Sequence, residues 1–253
     1  MSSLLLSSGG VGKTREDLGS VEARLAGLDW DSLHGDLDTR GYALTGPLLN
    51  AEECDRLIED YDREELYRSR VIMKRHNFGL GEYRYFSYPL PELIVRLRAT
   101  AYPYLVPLAN RWAEQMKQEQ RFPHKLERFL SDCHAQGQVR PTPLILRYGE
   151  GDYNCLHQDL YGATVFPMQL ALLLSEPGVD FEGGEFVLTE QRPRMQSRAE
   201  VVPLRRGDAV IFSVNERPFA GTRGFYRVKM RHGVSRIRRG SRHTLGVIFH
   251  DAA

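Results

Sequence analysis

The stretch "RYGEGDYNCLHQDLYG", residues 147–162, decides how this chain is read. It leaves the β-type run "PLILRY" (143–148), turns through Gly149 and Gly151, and ends on His157-Gln158-Asp159. Residues i and i+2 of an extended strand face the same way, so this imidazole and carboxylate can reach one ion. Further short β-type runs follow: "FPMQLALLLS" (166–175), "GEFVLTE" (184–190), "AEVVPL" (199–204), "DAVIFSV" (208–214), "FYRVKMRHGVSRI" (225–237) and "RHTLGVIFH" (242–250). Gly, Pro, Asp and Asn punctuate them and no helical period intervenes. That pattern predicts an antiparallel barrel or sandwich.

Upstream the texture is helical. Asn50 with Glu53 three residues on reads as a capping box, and Cys54, Leu57, Ile58 and Tyr61 continue one apolar face. A second helix is predicted from about Pro91 to Lys117, with Pro103 and Pro107 expected to break or kink it. A third begins near Pro123 and carries Leu126, Phe129, Leu130 and Cys133. The expected organisation is a flexible leader over 1–20, a mainly helical region over 21–138 and a β domain over 139–253.

Composition bounds the partners. The 253 residues carry a formal net charge of +1, so attraction to a polyanion must come from a local patch. Cys54, Cys133 and Cys155 lack metal-type pair spacing, which fits a reducing, cytoplasmic setting with no disulfide-linked partner. The leucines of residues 4–6 fall far short of a membrane span, and no membrane association is expected.

An His-x-Asp pair alone occurs readily by chance. Two histidines and one carboxylate on one face, however, are the ligand set of non-haem Fe(II) oxygenases. The second histidine must come from a distant strand, and the downstream candidates are His232, His243 and His250. His232 lies ten residues before Arg242, with a turn at Gly240 between them. A cosubstrate with a carboxylate at each end needs a cation for its far end, and arginine binds carboxylate in bidentate fashion. This pairing makes His232 the third ligand and Arg242 the carboxylate clamp.

Taken together, "HQD", "GGEF" (183–186), "GDAVIF" (207–212), "HGV" (232–234) and "GSRHTL" (240–245) resemble the 2-oxoglutarate/Fe(II) dioxygenase family. The resemblance implies a double-stranded β-helix (jelly-roll, cupin-like) core with N-terminal helices around it, an α+β fold. It implies Fe(II) held by His157, Asp159 and His232, with 2-oxoglutarate and O2 as cosubstrates. Oxidative decarboxylation to succinate and CO2 would accompany hydroxylation of a substrate C–H bond. "RYGEGDYNCLHQD" is similar to the AlkB-type nucleic-acid demethylases, a likeness that places Tyr148 near 2-oxoglutarate. The His232–Arg242 spacing is closer to prolyl-hydroxylase-type enzymes. The whole stretch most resembles a bacterial family described as nucleic-acid oxygenases acting on damaged, alkylated DNA. Hydroxylating an N-methyl group there would give a hemiaminal that sheds formaldehyde. The alternative is hydroxylation of a protein side chain or a free amino acid.

Residues 217–242 hold nine Lys/Arg and no acid, enough to track a phosphate backbone or simply to form a solvated strand face. Tyr153 and Asn154 are expected to line the substrate pocket. In "KRHNFGLGEYRYFSYPLP" (74–91) the aromatics are read first as packing onto the core, with a substrate lid as the alternative. His76, His124 and His134 are read as ordinary histidines. "SSGGVGKT" (7–14) resembles a phosphate-binding loop, but the run of strands offers no parallel sheet to hold one. It is read as part of the leader.

Overall fold

A computed structural model describes residues 19–253. The phosphate-loop motif and all but the last two residues of the expected leader lie outside the described residues.

Two sheets, every ladder antiparallel, form the core. The larger has seven strands in the order β1 (Tyr42–Pro47), β11 (Asp208–Ser213), β7 (Met168–Leu173), β15 (Arg242–Val247), β5 (Leu144–Tyr148), β4 (Glu82–Phe86) and β2 (Tyr67–Ile72). The smaller runs β10 (Arg198–Val202), β9 (Phe186–Gln191), β13 (Gly224–Val234), β6 (Tyr153–His157) and β3 (Gly79–Leu80), with β12 (Glu216–Gly221) also on β13. A short pair, β8 (Phe181–Gly183) with β14 (Ile237–Gly240), sits apart.

The runs "LALLL" and "DAVIF" need a layer on each side, and they have one. β7 and β11 are buried along their whole length. Ala171, Leu173, Val210 and Phe212 join Phe186, Leu188 and Val234 of the facing sheet in one apolar cluster. The alternate residues Leu170, Leu172, Ala209 and Ile211 pack instead with the helices. Strands buried on both faces read as continuous apolar runs rather than alternating ones. This is the jelly-roll expected from the sequence.

The helices are α1 (Val21–Ala26), α2 (Trp30–Arg40), α3 (Ala51–Glu59), α4 (Glu92–Gln115) and α5 (Leu126–Ala135). The capping box is present: Asn50 Oδ1 accepts from Glu53 N at 2.8 Å and Glu53 Oε2 from Asn50 N at 2.9 Å. α4 corrects one expectation, because it passes through Pro103 and Pro107 unbroken. Neither proline belongs to its buried stripe of Ile94, Leu97, Ala101, Leu105, Leu108 and Trp112. Burying each large apolar side chain contributes about 1.5–3 kcal/mol, so the stripe together outweighs about 3 kcal/mol per proline. Buried Arg98 ties α4 to the segment after β15, donating to Ile248 O, Phe249 O and Asp251 Oδ1, each at 2.8 Å.

A second expectation needs revision. Four strands lie inside the region read as mainly helical, and β1, β2 and β4 complete the larger sheet. Residues 42–86 therefore belong to the same barrel as residues 139–253. Short amphipathic strands such as "YALTGP" carry too few apolar residues to stand out beside strong helices.

Candidate active site

The cavity between the two sheets gathers the residues singled out by sequence. β6 and β13 pair so that His157 lies directly opposite His232, with ring centroids 4.2 Å apart. Asn154 lies opposite Val234, so β6 spends three steps where β13 spends two. This bulge turns both Asn154 and His157 toward the cavity. Gly233 makes it possible: a Cβ there would stand 2.7 Å from the Asn154 carbonyl oxygen.

Asp159 arrives differently from the expected strand alternation. β6 ends at His157, and the Asp159 carboxylate is held in place from two sides. The Tyr161 hydroxyl donates to Oδ1 at 2.6 Å, and Gln169 Nε2 of β7 donates to Oδ2 at 2.7 Å. Oδ1 then lies 3.4 Å from His157 Nε2 and Oδ2 lies 3.3 Å from His232 Nε2. All three ligating atoms fall within 4.8 Å of one another.

This donor set fits a divalent metal. His157 Nδ1 lies 2.8 Å from the Cys155 carbonyl, which can only accept, so Nδ1 carries the hydrogen. That leaves the Nε2 lone pair directed toward the carboxylate, since a carbonyl accepting from the far ring nitrogen fixes the tautomer and orientation of a metal-binding histidine. Without a metal, protons must balance the cluster. Burial disfavours charge on His157, yet the adjoining Asp159 outweighs it and raises the imidazole pKa. Burial, and then the neighbouring His157, lower that of His232. Asp159 is buried too, but the two histidines hold its carboxyl well below the ordinary range.

The second half of the site is on β15. Arg242 pairs with Tyr148 of β5 across the ladder, so both face the cavity. Arg242 is 1% exposed, and its one hydrogen bond is from Nη1 to Thr244 Oγ1 at 2.5 Å. No carboxylate pairs with it among the described residues, and burial pushes its pKa down to about 10. An uncompensated buried guanidinium is strongly unfavourable, and an incoming carboxylate relieves it. Gly184 of "GGEF" (φ +63°) lets Ile237 and this arginine pack close: a Cβ there would meet Ile237 Cδ1 at 2.2 Å and Arg242 Cδ at 3.0 Å. Tyr148 accepts from Asn154 Nδ2 at 3.2 Å, leaving its own hydroxyl hydrogen available to a ligand.

Of the predicted residues, the structure brings His157, Asp159, His232, Arg242, Tyr148 and Asn154 around one cavity. Tyr153 is not among the residues lining it; its ring lies by the Arg236 guanidinium, 5.7 Å away. His243 and His250 lie outside the metal cluster. Sequence reasoning missed Tyr161, Gln169 and Thr244. Gln169 had a signal, since it is the one amide inside the apolar run 166–174. We expect Gln169→Leu to weaken Fe(II) binding about 10- to 100-fold while the chain stays folded, measured by anaerobic metal titration. An unchanged affinity would mean that the amide does not orient Asp159.

A two-histidine, one-carboxylate cluster, half-buried at His157 and buried at Asp159 and His232, shares its cavity with a buried arginine and fits a non-haem iron oxygenase site of the kind that uses 2-oxoglutarate. Residues 81–252 match the family model of an "oxygenase, catalysing oxidative methylation of damaged DNA", and the chain belongs to this family. Two uncharacterised proteins, from two strains of Mycobacterium tuberculosis, are each 47% identical over 168 residues. That alignment covers 66% of this chain and 72% of either relative. Among solved structures, a Pseudomonas putida prolyl-4-hydroxylase superposes with a TM-score of 0.53 at 15% identity, covering 86% of this chain and 96% of that one. A Burkholderia pseudomallei 2OG-Fe(II) oxygenase-family oxidoreductase gives 0.53 at 16%, covering 88% and 93%. These two share the fold. The protein is an oxidoreductase, and its site fits Fe(II), 2-oxoglutarate and O2. No helix among the described residues is long and apolar enough to cross a membrane.

Proposed function

We propose that this chain is a 2-oxoglutarate- and Fe(II)-dependent dioxygenase that oxidises alkyl groups on nucleic-acid bases, with His157, Asp159 and His232 as iron ligands. The observation that carries the chemistry is Arg242, a buried guanidinium with no carboxylate ion-paired to it among the described residues, facing the same cavity as the His–Asp–His cluster. When bound, iron, 2-oxoglutarate and O2 supply the conversion of a C–H bond to C–OH, with succinate and CO2 as coproducts. In this reading Arg242 binds the far carboxylate of 2-oxoglutarate, Thr244 fixes the plane of the guanidinium, and Tyr148 adds a hydroxyl donor. Phe186 and Phe212, packed on the His232 ring, keep water from that side of the cluster. The family's description supports a nucleic-acid substrate.

The basic stretch 217–242 gives this substrate narrower support than its nine charges suggest. Arg217 is buried against Glu190, and Arg242 belongs to the cavity. Arg227, Arg238 and Arg239 pair with Glu216, Glu185 and Glu182. Arg223, Lys229, Arg231 and Arg236 are left exposed without an acidic partner among the described residues. Free thiols at Cys54, Cys133 and Cys155 suit the reducing, cytoplasmic setting we assign to it.

The test is formaldehyde release from N-methylated single- and double-stranded oligonucleotides, run beside proline-peptide hydroxylation, with succinate as the common readout. We expect methylated DNA to stimulate succinate formation and to release formaldehyde. Turnover left at its uncoupled rate by every methylated oligonucleotide, with peptide hydroxylated instead, would assign the protein-side-chain alternative.

A further inference from the structure

Five consecutive residues, Lys74 to Phe78, are exposed in the loop joining β2 to β3 and β4. The loop itself is clamped. Met73 is fully buried, its N–H donates to Gly81 O at 3.0 Å, and Phe78 N donates to Met73 O at 3.2 Å. Cys155 N of β6 donates to Phe78 O at 2.9 Å. At Gly79 (φ +132°) a Cβ would lie 2.3 Å from Tyr153 O, so only glycine allows this approach to β6.

On this fixed backbone Phe78 is 47% exposed and also lines the cavity that holds the His–Asp–His cluster. Its ring stacks on His76, with centroids 5.3 Å apart and planes 22° from parallel. The expected packing of the 74–91 aromatics holds for Tyr85 and Phe86, which are buried, and fails for Phe78 and Tyr88, of which only Phe78 lines the cavity. Lys74 and Arg75 precede the stack in the same exposed turn, with no acidic partner among the described residues. The nearby acid Glu82 is already taken by Arg70 and Arg147.

We infer that the Lys74–Phe78 loop is a recognition platform for single-stranded nucleic acid, with Phe78 and His76 stacking a base and Lys74 and Arg75 holding its phosphates. The inference rests on the nucleic-acid reading above and adds the strand preference and the residues that set it. Asp159 and His232 are only 5% and 6% exposed, between the sheets. A base inside a duplex cannot bring its alkyl group there and must leave the stack. A rigid ring at the mouth replaces the stacking that an unpaired base lacks, and it does so for any base. Two exposed cations in the same turn as an exposed ring, unpaired among the described residues, suit the repeating base and phosphate of a strand.

The test is fluorescence anisotropy of a labelled, methylated single-stranded oligonucleotide over a salt series, with the matching duplex as competitor. Phe78→Ala should weaken single-strand binding about 5- to 100-fold, and Phe78→Trp should restore it. Lys74→Gln/Arg75→Gln should lower the slope of log affinity against log salt by about 1.4, at about 0.7 per phosphate contact. The exposed pair Arg56→Gln/Arg128→Gln, on α3 and α5, should leave the slope unchanged. Circular dichroism and Tm check that every variant folds. Single-strand binding by the wild type that none of the loop variants weakens would overturn the platform and leave the nucleic-acid reading intact. Wild-type protein that binds no oligonucleotide even at low salt would end both. Loss of proline-peptide binding in Phe78→Ala, with no oligonucleotide bound, would reassign the loop to a protein substrate.

Discussion

Asp159→Ala is expected to abolish Fe(II) binding and substrate-dependent succinate formation together. Asp159 is the one carboxylate of the His–Asp–His cluster proposed to hold iron, and its two oxygens lie 3.4 Å and 3.3 Å from the two facing imidazole nitrogens. Removing an outer partner of a metal ligand costs about 10- to 100-fold. Removing the ligand itself should exceed that and leave only background turnover. The fold should survive, because Asp159 lies beyond the end of β6 and outside the apolar clusters. Anaerobic metal titration reads the binding, and Tm reads the fold. Retained 2-oxoglutarate decarboxylation at the wild-type rate would remove iron from this cluster.

Arg242→Met separates binding from stability, and the two effects run in opposite directions. In the ligand-free protein the guanidinium is buried with Thr244 as its one partner, so an apolar side chain of similar length removes an uncompensated charge. Tm should stay level or rise. Affinity for 2-oxoglutarate should fall by about 30-fold or more, because truncating one partner of a buried charged pair costs about 2–5 kcal/mol. The same split appears in thermal shift: at one hundred times its Kd, 2-oxoglutarate should stabilise the wild type by about 2.7 kcal/mol. At that concentration it should stabilise Arg242→Met far less. Arg242→Lys should recover only part of the affinity, since an ammonium keeps the charge and loses the planar fork. A variant that binds 2-oxoglutarate normally would contradict the assignment of Arg242.

The residues of the candidate site were legible in sequence because the chemistry expected of them depends on residue type and spacing. His157, Asp159, His232 and Arg242, singled out by motif and spacing, come together around one cavity. The geometry that unites them was less legible. Strand alternation was the stated reason for placing Asp159 beside His157, whereas Tyr161 and Gln169 hold it there. Tyr161 is two residues along the chain and Gln169 comes from β7, and spacing alone does not say which side chains reach the carboxylate, although the one amide in the apolar run 166–174 was a signal. Tyr153 misled for a related reason: the β6 bulge brings Asn154 and His157 to the cavity and leaves Tyr153 off it. Pro103 and Pro107 read locally as helix breakers, but tertiary packing of the opposite face of α4 decides the outcome. The nine basic residues of 217–242 read equally as a phosphate-tracking patch or a solvated strand face, and burial and ion pairs leave four of them exposed without an acidic partner among the described residues.

The most direct measurement is anaerobic titration of Fe(II), then 2-oxoglutarate, into wild type, Asp159→Ala and Arg242→Met, followed by calorimetry. One Fe(II) per chain should bind the wild type and Arg242→Met but not Asp159→Ala. Tight 2-oxoglutarate binding should then require both the metal and Arg242. Stoichiometric Fe(II) and tight 2-oxoglutarate binding by Asp159→Ala, or tight 2-oxoglutarate binding by Arg242→Met, would contradict this active site.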